Sequence, residues 1–225
     1  MSVSNLLPLH MAEKAAARVV EALSPACERI TVAGSIRRRK DMVADIEIVA
    51  VARLERVTDT PPGEMFPVER IANRLHERTV EVAFGKVPGL GRPTEAKPHR
   101  RPPWGLKWRV LCVEYEPGKW MPVDLFIVER RSWGPQLAMR TGPRDFSQLL
   151  VTRRDQGGAM PRGMRMHDAE LQHRVNQAKP EDDPAAWESL YLDEEPAFFA
   201  ELGVPYLEPH LRSERALLSA LGARR

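Results

Sequence analysis

Asp45 and Glu47 stand two residues apart in the run DIEIVAV at 45–51. Side chains alternate across a β-strand, so this spacing sends both carboxylates to one face and Ile46 and Ile48 to the other. Two acids on one face repel, and a hard divalent cation with oxygen ligands offsets that repulsion. A third acid on a neighbouring strand would complete the cage. Asp124 is the natural candidate, because it stands at the mouth of the apolar run LFIV at 125–128, where an unpaired charge is costly. An isolated Asp-x-Glu more often lies on the wet side of an edge strand. Here Gly34 and Ser35 precede Asp45 by a short basic connection, IRRRKDMVA at 36–44. A triphosphate requires a tight turn with exposed backbone N–H groups, a hydroxyl donor and nearby cations. Gly34 permits close backbone approach, Ser35 can donate to a phosphate oxygen, and Arg37 or Arg38 can neutralise charge building on a leaving pyrophosphate.

These groups need a sheet to hold them. Met11, Ala15, Val19 and Leu23 recur at helical spacing before Pro25, which predicts an amphipathic helix over 9–24. Alternation over 29–32 predicts a strand running into the Gly34-Ser35 turn, with a helical turn within 36–40 and the next strand at 45–51. After the breakers Pro61, Pro62 and Gly63, the stripe Val68, Ile71, Ala72 and Leu75 predicts a helix over 67–78, followed by a strand over 79–84. Residues 85–103 are rich in Gly, Pro and bases, too broken for regular structure and long enough for a functional loop. Strands over 107–115 and 120–128 are joined by Glu116-Pro117-Gly118-Lys119, which has the composition of a hairpin turn. The pattern describes an α+β chain with a mixed sheet.

With 225 residues and 43% hydrophobic content, the chain can bury a core as one domain or two small ones. Cys27 and Cys112 match no paired metal spacing, so neither a disulfide framework nor a zinc site is indicated. No signal-peptide pattern and no membrane-spanning apolar run is present. A cytoplasmic monomer without a membrane partner is the expectation. The net charge of +3 and pI near 9.0 hide an uneven distribution. Over 130–165, Arg130, Arg131, Arg140, Arg144, Arg153, Arg154, Arg162 and Arg165 face only Asp145 and Asp155, and an acid-rich stretch follows at 168–201. Such a basic segment suits a nucleic-acid backbone. The histidines show no ligand spacing, and the tryptophans are expected as partly buried anchors.

The run AGSIRRRKDMVADIEIV at 33–49 resembles the nucleotidyltransferase signature of the family X DNA polymerases, the polymerase beta type. The resemblance implies that Asp45, Glu47 and Asp124 are the catalytic metal ligands for two Mg2+ (or Mn2+) ions. It also implies that Ser35 and Arg38 contact phosphate. Glu47 stands where those polymerases usually carry a second aspartate; glutamate there is familiar from other nucleotidyltransferases, including enzymes that modify small molecules. Downstream, WGPQLAMRTGPRDFSQLLVTRRDQGGAM at 133–160 resembles the family's thumb segment, with Thr141 and Gly142 matching a turn beside the incoming nucleotide. Met139-Arg140 replaces the aromatic pair that precedes that turn, so sugar selectivity does not carry over. The segment DEEPAFFAELGVPYLEPHLRSE at 193–214 resembles the closing segment and is expected to be structural.

The resemblance spans roughly residues 12–215 and includes no N-terminal helix-hairpin-helix domain, as in the smallest viral members, which argues against a deoxyribose-phosphate lyase activity. It implies a nucleotidyltransferase palm at 1–130 and a small thumb-like domain at 131–225. The implied activity is a gap-filling DNA polymerase of repair, taking a nucleoside triphosphate and primed or gapped DNA. Arg140, Arg144, Arg153 and Arg154 are the candidate nucleic-acid contacts. Two other readings stay open: a nucleotidyltransferase acting on a small molecule, protein or tRNA end, and a catalytically silent nucleic-acid-binding or antitoxin-like module. The full acid triad counts against the last.

Overall fold

The two acid-bearing strands, Ile46–Ala52 and Lys119–Val128, lie side by side and parallel in a computed structural model that describes residues 6–60, 63, 65–93 and 103–222. They sit within a five-stranded sheet of order Cys27–Val32, Ile46–Ala52, Lys119–Val128, Trp108–Glu116, Leu90–Gly91, whose other neighbours are all antiparallel. The sheet is therefore mixed and the fold α+β. Beyond the acids both faces of the central strands are covered, which is why residues 48–52 and 125–128 are continuously apolar. Ile46, Ile48, Val123 and Leu125 pack with Ala12, Ala15, Val19 and Leu23 of the Leu9–Leu23 helix. Each of the larger side chains, fully buried, contributes about 2 kcal/mol. On the opposite face Val49, Val51 and Phe126 pack beneath Trp133 and Leu137 of the Trp133–Thr141 helix.

Residues after this sheet build a second apolar cluster, with Phe146, Leu150, Phe198, Phe199, Leu202 and Leu217 at its centre. These side chains come from the helices Arg144–Val151, Glu195–Glu201 and Glu214–Gly222 and the turn that follows Glu201. Beside them lies a three-stranded antiparallel sheet of Met164–His167, Glu170–Arg174 and Trp187–Ser189. The Trp133–Thr141 helix joins the two clusters, since Leu137 packs on the large sheet and Ala138 on the second core.

The structure corrects the expected order between 67 and 84. Val68–Asn73 is a strand, paired with Leu54–Asp59 in a separate ribbon. The helix begins only at Arg74 and runs to Ala83, absorbing the strand expected over 79–84. Asn73 sets the boundary: its side chain accepts a hydrogen bond from the His76 backbone N–H at 2.8 Å, an N-cap interaction. The β-branched residues then lose to tertiary packing, because Leu75, Thr79 and Val82 lie at helical spacing and are fully buried. Thr79 adapts by donating to the Leu75 carbonyl at 2.9 Å. Within 85–103, expected without regular structure, Leu90–Gly91 adds a short edge strand opposite Val113 and Cys112. Residues 94–102 of that loop, with most of its basic side chains, lie outside the described residues. Among the described residues no helix is long and apolar enough to cross a membrane.

Candidate active site

Asp45 immediately precedes the Ile46–Ala52 strand, Glu47 is its second residue, and Asp124 lies directly opposite Glu47 in the parallel register. The strand period places all three acids on the face that continues as Val49, Val51 and Phe126. Each is half-buried, and burial raises each carboxyl above its ordinary value. Glu47 is affected most and is pushed up to about 7, first by burial and then by the neighbouring charges of Asp45 and Asp124. Arg38 and Arg140 act in the opposite direction on Glu47 without forming an ion pair with it. Among the described residues, no Lys or Arg is paired with any of the three acids.

Aromatic and cationic side chains frame the acids. The Trp108 Nε1–H donates to Asp124 Oδ1 at 2.8 Å, while the indole stacks on Phe126 with centroids 6.2 Å apart. The Arg140 guanidinium lies 3.8 Å over the same Phe126 ring, and its buried Nε has no hydrogen-bond partner. Glu47, Trp108, Asp124, Phe126 and Arg140 line a cavity of about 540 Å³. A Lys107–Asp168 ion pair, which ties the large sheet to the small one, also borders it.

The Gly34-Ser35 turn closes another side. Gly34 has φ of +61°, and a Cβ there would collide with a Glu47 carboxylate oxygen, so only glycine fits. The Ser35 hydroxyl is buried and unpartnered, an orphaned donor of the kind that calls for a ligand. Arg38 sends one nitrogen to the Thr141 carbonyl at 2.5 Å, leaves its Nε unpartnered, and feels the charges of Glu47 and Asp45.

Other sequence-derived candidates go elsewhere. Arg37 makes a bidentate pair with Glu195 at 3.0 and 2.8 Å and donates to the Thr141 hydroxyl at 2.8 Å, so its fork is already filled. Thr141 is wholly buried between these arginines. Gly142 is pressed against Phe146, where a Cβ would run into the ring. Arg144 is exposed on the first turn of its helix. Arg153 pairs with Asp155 at 3.0 Å, and Arg154 bonds the carbonyls of Ala159 and Leu202. Arg140 is the member of the expected nucleic-acid track that faces the acids.

Two features were not foreseen. Trp108 is paired with Phe126 across the antiparallel register, two residues along from Asp124; period-two alternation from Val110, opposite Asp124, is the signal that could have found it. Glu195 forms a buried hub, accepting from Arg37, from Arg212 at 2.6 Å and from the Tyr206 hydroxyl at 3.2 Å. Burial opposes its charge, but the two arginines outweigh it and hold its carboxyl below the ordinary value. No local pattern announces partners this far apart in sequence.

The acids suit a hard cation on chemical grounds, since they supply only oxygen donors, have carboxyl groups raised above the ordinary value chiefly by burial, and lack a paired base among the described residues. They do not form a closed cage: among the described residues no three Asp, Glu, His or Cys side chains converge closely enough to hold a metal ion. One Asp124 oxygen is instead engaged by Trp108. No family model and no curated protein matches the chain.

Proposed function

We propose that this chain is a divalent-metal-dependent nucleotidyltransferase with a polymerase beta-like palm and a small thumb, which transfers a nucleotide from a triphosphate to a nucleic-acid 3′ hydroxyl, as in gap-filling repair synthesis. The observation that carries the reading is the register of Glu47 opposite Asp124, with Asp45 on the same face, Gly34 packed against the Glu47 carboxylate and the hydroxyl of the next residue, Ser35, orphaned. A structural set of acids would be paired with bases; among the described residues these are not. Asp45, Glu47 and Asp124 are the residues that would hold Mg2+ or Mn2+. Such ions, when bound, lower the pKa of an attacking hydroxyl and neutralise charge on the phosphates.

Each remaining group has a task in phosphoryl transfer, where catalysis is mostly positioning and electrostatics. Ser35 donates to a phosphate oxygen. Arg38, whose Nε is free, offers positive charge where the leaving pyrophosphate gains negative charge. Trp108 fixes the orientation of Asp124, the acid facing the attacking hydroxyl. The hydroxyl oxygen bonds the α-phosphorus as the bond to pyrophosphate breaks, and the hydroxyl proton passes to Asp124. Arg140, held over the Phe126 ring, supplies fixed charge beside Glu47 and Asp124.

A second reading, transfer to a small-molecule acceptor, is favoured by the cavity of about 540 Å³ beside Glu47 and Asp124, a volume typical of small-ligand sites. Incubation with Mg2+, labelled triphosphates and either a gapped duplex or a single strand separates the two. Extension of the gapped primer, lost in Asp45→Asn, is the expected result. Labelling of neither nucleic acid, with triphosphate still consumed in the presence of small hydroxyl or amine acceptors, would move the assignment to the second reading.

A further inference from the structure

A larger cavity, about 780 Å³, opens on the small C-terminal sheet and shares no lining residue with the acid cavity. Arg153, Arg162, Arg165 and Arg174 line it against a single carboxylate, Glu181. The Arg174 Nε is buried without a partner, although its other nitrogens reach Glu181 at 3.4 Å and the Lys179 carbonyl at 2.7 Å. Arg162 is exposed and pairs with nothing among the described residues. The Arg165 guanidinium lies 4.0 Å over the Trp187 ring, and Trp187 is fixed in turn by donation to the Glu181 carbonyl at 2.9 Å.

Arginine forks match phosphate oxygens bidentately, and an arginine–indole stack presents a flat surface on which a base can lie. Glu181 and Asp155 leave the four cations in excess. An acidic peptide would satisfy the charge but not the flat stack. Position also favours a nucleic-acid strand. The Met164–His167 and Glu170–Arg174 strands form one ribbon whose turn, Asp168 and Ala169, borders the acid cavity, while Arg165 and Arg174 at its open end frame the basic one. From Arg165 to Asp168 the strand advances about 10 Å, a span that a short run of nucleotides can bridge.

We propose that this cavity is a phosphate subsite for a single nucleic-acid strand whose reacting end lies at the acids, beyond the turn of the ribbon. Choosing a strand as the occupant rests on the nucleotidyltransferase reading; the cavity's affinity for phosphate does not. The test is binding of a fluorescent oligothymidylate of about six nucleotides, followed by anisotropy in EDTA without triphosphate, across a salt series. The Arg162→Gln/Arg165→Gln protein is expected to bind more weakly, with a logarithmic salt slope shallower by about 0.7 for each phosphate it no longer neutralises. Arg162→Gln alone, at an exposed and unpaired position, should lose part of that slope at an unchanged melting temperature, which keeps the result independent of folding.

Affinity and slope equal to wild type in both variants would overturn the proposal. So would a polyglutamate peptide, or thymidine monophosphate, that displaces the strand at concentrations equal to the strand's own. A protein inactive in nucleotide transfer that still loses strand binding in these variants would overturn the proposed function and leave the subsite standing.

Discussion

Replacing Glu47 by glutamine preserves the shape of the side chain and removes a charge that the folded protein holds at a disadvantage. The folded carboxyl titrates near 7 against an ordinary value of 4.5, a difference worth about 3 kcal/mol. The sign follows from proton binding. The folded state keeps this proton to higher pH than the unfolded chain, so the penalty is absent below about pH 4.5, grows as pH rises to 7, and is constant above. Glu47→Gln should therefore match wild type near pH 4.5 and exceed it at pH 8 in EDTA. For a chain of this size, about 3 kcal/mol corresponds to roughly 6–12 °C in melting temperature. Mg2+ at about one thousand times its Kd should reverse the ranking, because it stabilises the wild type by about 4.1 kcal/mol and the variant lacks a ligating oxygen charge. Thermal melts at both pH values, with EDTA or Mg2+, read all four conditions. Equal melting temperatures for both proteins at pH 8 in EDTA would refute the electrostatics assigned to the acid cluster.

Asp124→Asn should abolish nucleotide transfer while the circular dichroism spectrum is unchanged and the melting temperature holds or rises, because burial also disfavours this charge, and near wild-type turnover in the purified protein would remove Asp124 from the catalytic set. Glu195→Gln should destabilise the fold by about 3–5 kcal/mol, because it leaves Arg212 and Arg37 buried without their shared carboxylate; urea denaturation showing a loss under about 1 kcal/mol would contradict this. In wild type the same depressed carboxyl contributes stability that is present above about pH 4.5 and lost as pH falls below it. Gly34→Ala meets both a left-handed backbone and the Glu47 carboxylate, so a lower melting temperature and lost transfer are expected, and an active, equally stable variant would show that the turn can move. Discrimination against ribonucleotides should be weak in competition assays, since Arg140 sits over the Phe126 ring and no aromatic pair precedes Thr141; strong exclusion would place the selection on another element.

Period-two alternation alone determined that Asp45 and Glu47 share a face opposite Ile46 and Ile48, because the direction of a strand side chain is set by its own backbone. The Leu9–Leu23 helix and the hairpin between Trp108–Glu116 and Lys119–Val128 were legible for the same reason: their signals lie within a few residues. Local signal failed over 67–84. Val80 and Val82 alternate like strand residues, yet the Asn73 cap and the burial of Leu75, Thr79 and Val82 hold that segment helical. Charge pairing was the least legible feature. Arg37 and Arg38 are adjacent and chemically identical in sequence, but Arg37 is taken by Glu195, 158 residues away, while Arg38 stays within reach of Glu47 and Asp45. Likewise Arg154 turns to the Leu202 carbonyl, and Arg165 and Arg174, from the two strands of one ribbon, line one cavity. A guanidinium on a long flexible stem can point in many directions, and only the packed neighbours, which desolvate some choices and supply partners for others, select among them.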